Sequence, residues 1–165
     1  MTVPSFRRLA TSGPAGMIAL VCVALLVTFL HNATAQQTRS GRKAIRPDKV
    51  PNTGLPYTPG ILAGNTLYIS GNLGRDPASG RLVSGGIEAE TRQSLANIRE
   101  VLRSAGMDFK DVVSVTAYIT DFKNFDKFNE VYREYFPNDP PTRATVQVAG
   151  LNVGAQIELQ MIAVK

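Results

Sequence analysis

The distribution of apolar and polar positions divides the chain into three unequal parts. Residues 15–30 are uncharged and almost wholly apolar, with Arg7 and Arg8 before them and the small residues Ala33, Thr34 and Ala35 after them. A basic start, an apolar middle and a small-residue end are the pattern of an export leader, so residues 1–35 read as a signal peptide cleaved after Ala35, with a periplasmic or secreted product. The apolar stretch falls short of the roughly 20 residues that span a bilayer as a helix, which leaves a membrane anchor over residues 15–30 as the lesser alternative. Residues 36–53 are polar, basic and proline-containing with no apolar period, and predict a flexible arm. The remaining stretch, 54–165, has the length of one domain with a real core.

Inside that domain two apolar runs, residues 56–62 and 66–70, flank Ala63-Gly64-Asn65, which predicts a hairpin. Asp76-Pro77-Ala78-Ser79-Gly80 is a second turn. Between residues 87 and 105, Leu95, Ile98, Leu102 and Ala105 recur at the spacing of one helix face, while Glu88, Glu90, Arg92, Arg99, Glu100 and Arg103 fill the other positions. Acids lead, bases trail and Gly106 follows, as a helix dipole and a C-terminal cap favour. Residues 112–120 are β-branched and apolar on both phases, the mark of a strand covered on both faces. Helical spacing returns over residues 124–136 with Phe125, Phe128, Tyr132 and Tyr135, and the prolines at 137 and 141 end it. Residues 142–148 and 156–164 supply two last strands.

The predicted order is β-β-α-β-α-β-β, an α/β (α+β) domain with two helices and a mixed sheet of about five or six strands. Two helices are too few for both faces of such a sheet, so they should share one. Val112, Tyr118, Val146, Val148, Leu159 and Met161 are assigned to the other face, which is then too apolar to stay wet and should be covered by further copies of the chain.

Composition narrows the chemistry. The leader contains the single cysteine, Cys22, and the single histidine, His31. A mature chain lacking both excludes a thiolate nucleophile, a Ser-His-Asp triad and nearly every zinc or copper site. Catalysis must then rest on carboxylate, guanidinium, hydroxyl, amine or backbone groups. The full chain has 18 basic and 13 acidic residues. Two of the basic ones lie in the leader and five in the arm (Arg39, Arg42, Lys43, Arg46, Lys49), so the folded part is near neutral and nucleic acid is not the expected partner.

Several short stretches together resemble the reactive intermediate deaminase family, also called Rid, YjgF or L-PSP. They are Pro56-Tyr57, Gly64-Asn65 leading to Ser70-Gly71, the 76–80 turn, Gln93-Ser94-Leu95-Ala96-Asn97, Phe128-Asn129-Glu130-Val131-Tyr132, Pro141-Thr142-Arg143-Ala144, and Ile157-Glu158-Leu159. The resemblance implies a chorismate-mutase-like fold, a homotrimer around a central barrel, and pockets between subunits. It also implies hydrolysis of an enamine or imine such as 2-aminoacrylate to a 2-oxo acid and ammonia, without a cofactor or metal.

Carried over by position, Arg143 grips the substrate carboxylate and Glu158 positions water. Tyr57, Ser70, Gly71, Asn129 and Thr145 line the pocket. A planar guanidinium suits the first task because it makes two parallel hydrogen bonds to a carboxylate and keeps its charge when part-buried. The alternative is that Arg143 and Glu158 are simply each other's ion-pair partner. The sequence departs from the family's pattern around the pocket, with Leu55 before Pro56-Tyr57, Asn72-Leu73-Gly74 after Ser70-Gly71, Thr145 two residues after the arginine, Gly150 where an arginine is common, and Gln160 in place of a second acid. A non-catalytic binder of small carboxylates is therefore the second function to weigh, and RNA binding or cleavage the third.

Overall fold

The computed structural model describes residues 41–50 and 54–165. The leader and the first residues of the arm lie outside them. Six strands, β1 (Arg42–Ile45), β2 (Gly60–Ala63), β3 (Thr66–Leu73), β4 (Val112–Ile119), β5 (Thr142–Gln147) and β6 (Ile157–Val164), form one sheet in the order β1-β2-β3-β6-β4-β5. The β4–β5 pair is parallel and the other pairs are antiparallel, so the sheet is mixed. Helices α1 (Gly86–Ser104) and α2 (Phe125–Tyr135) make the β3-α1-β4 and β4-α2-β5 crossovers. The last strand, β6, slots between β3 and β4, so the centre of the sheet is completed by the end of the chain.

The arm is the first correction. Residues 42–45 pair with β2, from Arg42 opposite Ala63 to Ile45 opposite Gly60, and Ile45 is buried in the core. The observed order is thus β-β-β-α-β-α-β-β, and residues 36–53 are not wholly a free arm. Arg-Lys-Ala-Ile is too short to display a period of two, and its charges suit an unpaired edge.

The helices form where the spacing places them. Leu95, Ile98, Leu102 of α1 and Phe128 of α2 are fully buried against the sheet, in one core with Leu67, Ile69, Val115 and Ile157. Gly106 ends α1 in the left-handed region at φ 68°, its N–H donating to the Arg103 carbonyl while that of Met107 donates to Leu102. A side chain at Gly106 would be strained in that conformation. Four polar residues of α1 are also buried: Thr91, and Glu90, Ser94 and Asn97 at i, i+4 and i+7.

The second correction concerns the face away from the helices. Val112, Leu159 and Met161 belong to the buried core under the helices, while Tyr118 and Val146 pair with each other across the register on the other side. That face also carries Tyr68, about half exposed, and Val146, 45% exposed.

Candidate functional site

The site begins with an irregularity in β3. Ile69 pairs with Met161 and Asn72 with Leu159, so three steps along β3 match two along β6 and Ser70-Gly71 bulge out. A bulge swings the backbone and re-aims neighbouring groups. Here it brings Gly71 against the Glu158 carboxylate, so closely that a Cβ at position 71 would collide with Glu158 Oε1. The inward polar row of α1 holds this shape: Ser94 Oγ donates to the Asn72 carbonyl at 2.8 Å, and Asn97 Nδ2 donates to that of Arg75 at 2.9 Å. Glu90 accepts from the Gln156 N–H at 2.8 Å and fixes the start of β6.

A cavity of about 290 Å³ opens beside the bulge, lined by Tyr57, Ser70, Gly71, Arg75 and Glu158 among others. That is at the small end of the range for small-molecule sites. The Ser70 hydroxyl donates to the Thr58 carbonyl at 2.7 Å and its N–H to that of Pro59, so Ser70 holds in place the segment bearing Tyr57. Burial pushes the Glu158 carboxyl above its usual range, as desolvation penalises the charged form. Glu158 also borders a shallower recess with Tyr118 and Gln160 on the open face of the sheet.

Arg143 lies elsewhere. It sits on edge strand β5, with its guanidinium 4.6 Å from the Tyr132 ring centroid, 5.1 Å from that of Phe128 and 5.8 Å from that of Phe125, all on α2. Among the described residues it makes no ion pair. Asn129 and Arg143 line one groove of about 440 Å³ with Tyr132 and Pro141. Thr145 shares Arg143's face but lies outside that groove, its Oγ1 buried without a hydrogen-bond partner among the described residues. The Tyr132 hydroxyl is likewise buried and unpartnered, and burial pushes its pKa up to about 12, with the Arg143 charge pulling it down.

The seven residues singled out by sequence therefore fall into two groups. Tyr57, Ser70, Gly71 and Glu158 gather at the β3 bulge, while Arg143 and Asn129 share the groove between β5 and α2 and Thr145 stands on Arg143's face of β5 outside it. Register explains the split. Arg143 pairs with Val115, which pairs with Met161, all facing the helices. Glu158 pairs with Tyr118, which pairs with Val146, facing away. The direct Arg143–Glu158 ion pair weighed as an alternative is absent. Sequence reasoning missed Arg75 and the Tyr132 hydroxyl. The first stands in a turn and the second in a helical stripe, and neither position advertises a site. Among the described residues no three His, Cys, Asp or Glu side chains gather as metal ligands.

Two helices on one face of a mixed six-stranded sheet, with a desolvated carboxylate in a small cavity and an unpaired guanidinium on aromatic rings, define a small-molecule site of carboxylate and guanidinium chemistry. The family described as Endoribonuclease L-PSP matches residues 48–165, and the chain belongs to it. It is 43% identical over 124 residues to a human protein named 2-iminobutanoate/2-iminopropanoate deaminase, covering 75% of this chain and 90% of that one. The protein of the same name from Bos taurus is 46% identical over the same coverage. Among solved structures, RidA from an Antarctic Psychrobacter matches with a TM-score of 0.73 at 36% identity, covering 75% of this chain and all of that one. TdcF of E. coli with bound serine matches at 0.71 and 32% identity, over 74% and 98% of the two chains.

Proposed function

We propose that the protein hydrolyses 2-imino acids, and the enamines in equilibrium with them, to 2-oxo acids and ammonia. The observation that carries this reading is the pairing of an unpaired, aromatic-backed Arg143 with a part-buried Glu158. One is built to take a carboxylate, and the other to handle water beside it. The substrate carboxylate docks on Arg143. Glu158 accepts a proton from water as the water oxygen bonds to the imine carbon, and passes it to the nitrogen, giving a neutral carbinolamine and restoring the carboxylate. The C–N bond then breaks, the hydroxyl proton passes to nitrogen through Glu158, and ammonia leaves behind the new carbonyl. No cofactor enters this balance. The names of the human and bovine relatives support the substrate class.

The two halves face opposite sides of one sheet, so a complete site draws Arg143, Asn129 and Thr145 from one copy and Tyr57, Ser70, Gly71 and Glu158 from another. The apolar open face with Tyr68 and Val146 supports burial between copies, as a homotrimer would provide. Co-expression tests this. Arg143→Ala and Glu158→Gln should each be about tenfold or more slower than the parent on 2-iminobutanoate, yet mixed oligomers of the two should regain about a quarter of the parental rate, since random assembly leaves that share of sites intact in both halves. Activity no higher than that of the separate variants would place both residues in one chain's site. A parent protein that speeds 2-oxo acid release from no 2-imino acid, monocarboxylic or dicarboxylic, would end the deaminase reading.

The reaction is further assigned to a compartment outside the cytosol, on the strength of the leader pattern before Ala35. N-terminal sequencing of the native protein should begin at Gln36, and a chain that retains Arg7 and Arg8 and is recovered from the cytosolic fraction would refute it.

A further inference from the structure

The cavity at Glu158 holds a second charged group that the deamination step does not use. Arg75 lines it and, among the described lining residues, is its one cation. Its placement is fixed at three points: its N–H donates to the Leu73 carbonyl at 2.8 Å, its carbonyl accepts from Asn97 Nδ2 at 2.9 Å, and its Nη1 donates to the Gly80 carbonyl at 2.7 Å. The tether runs back to α1, where Asn97 is itself 2% exposed. One of five guanidinium N–H donors is thereby used, and the remaining four are available to a ligand. No carboxylate forms an ion pair with Arg75 among the described residues, and the neighbouring Asp76 spends its carboxylate on the N–H and hydroxyl of Ser79. A guanidinium anchored by its own backbone and by a neighbouring turn, in a cavity whose one carboxylate, Glu158, makes no ion pair with it, is preorganised for an anion.

We propose that Arg75 selects substrates bearing a second carboxylate, so that the preferred imines are those of 2-oxo dicarboxylic acids. The inference rests on the deaminase reading. With the reacting carbon beside Glu158 and its own carboxylate on Arg143 of another copy, the rest of the substrate extends into the Glu158 cavity and meets Arg75. Tyr57, Asn72 and Asn152 line the same space and make it polar enough for an acidic side chain. An alkyl group there would offer the remaining Arg75 N–H groups no acceptor in a confined site, which disfavours it relative to a carboxylate.

The test compares 2-iminoglutarate with 2-iminobutanoate, each generated in the assay by oxidation of the matching amino acid and competed against semicarbazide. The parent should show the higher kcat/KM on 2-iminoglutarate. Arg75→Gln retains a donor for the Gly80 carbonyl but loses the charge, and should lower the ratio of the two kcat/KM values by roughly tenfold or more. Arg75→Lys should fall between. A ratio for Arg75→Gln within twofold of the parent's overturns the proposal. If the parent turns over neither imine, the deaminase reading falls, and Arg75 is then judged by binding. Calorimetry should show 2-oxoglutarate binding at least tenfold more tightly than 2-oxobutanoate, with the difference lost in Arg75→Gln. Equal affinity in the parent overturns it on that measure too.

Discussion

Arg143 and Glu158 occupy strands separated by β4 alone, yet their side chains face opposite sides of the sheet. Arg143 is in register with Val115 and Met161 above the core, and Glu158 with Tyr118 and Val146 on the open side. Each is left without a counter-ion among the described residues, and each has an environment that suits it to a ligand. Arg143 rests on three rings of α2, and Glu158 is confined by Gly71.

Arg143→Ala should lower kcat/KM on 2-imino acids by roughly 10- to 100-fold, the worth of a charge-assisted pair of hydrogen bonds. Arg143→Lys keeps the charge but loses the planar fork and the ring stacking, and should recover only part of that loss. Neither change should cost much stability, since no ion pair is broken. Steady-state kinetics beside a thermal melt of each variant checks both statements.

The rate should depend on pH through Glu158. The mechanism needs its carboxylate, and burial raises its pKa, so kcat/KM should fall as pH drops through a value above the usual carboxylate range near about 4.3. Glu158→Gln should abolish this limb and cost roughly 10²- to 10⁴-fold in rate. A group whose folded pKa is raised contributes stability that is present at low pH and lost as pH rises through that pKa. Glu158→Gln should therefore be at least as stable as the parent at pH 7, by urea denaturation.

Tyr132 predicts an alkaline transition. Its folded pKa of about 12 exceeds the ordinary phenol value of 10, so the stability it contributes is present below pH 10 and is lost as pH climbs through 12. Tyr132→Phe should flatten that loss between the two values. At neutral pH it should change stability by no more than about 1 kcal/mol, because the hydroxyl it removes has no partner. Tyr132→Leu removes the ring under Arg143 and should raise KM by several-fold, in line with a cation–π contact of about 0.5–2 kcal/mol. Denaturant titrations at pH 9 and 11.5, with kinetics at pH 8, separate the two effects.

Gly71→Ala should fold and fail. The three atoms nearest an added Cβ all belong to the Glu158 side chain, so the melt should stay close to the parent's while activity is lost. Restored activity in the double variant Gly71→Ala with Glu158→Asp, whose shorter side chain withdraws the carboxylate, would confirm the collision as the cause.

The two helices and five of the six strands were legible to within a few residues, because their apolar spacing or the turns that bound them show in the sequence. The 3-4-3 spacing of Leu95, Ile98 and Leu102 is a property of the helix itself, and all three are fully buried. Strand β1 was missed because Ile45 is its one buried residue and four residues cannot repeat a pattern. The polar row Glu90, Ser94 and Asn97 reads as a solvated helix face, and it is buried because the β3 bulge and the Arg75 turn offer carbonyls to Ser94 and Asn97 and the start of β6 offers the Gln156 N–H to Glu90.

By itself, the sequence determined the helix periods, the turns, the family and the residue types able to bind a carboxylate, since each depends on neighbours a few positions away or on a motif. It also singled out seven candidate site residues. Their division into two groups was decided by tertiary structure alone. A strand's alternation says which side chains share a face, but which face that is follows from inter-strand register, and here one extra residue in β3 and the insertion of β6 between β3 and β4 set it. Those long-range hydrogen bonds turned Arg143 toward the helices and Glu158 away from them.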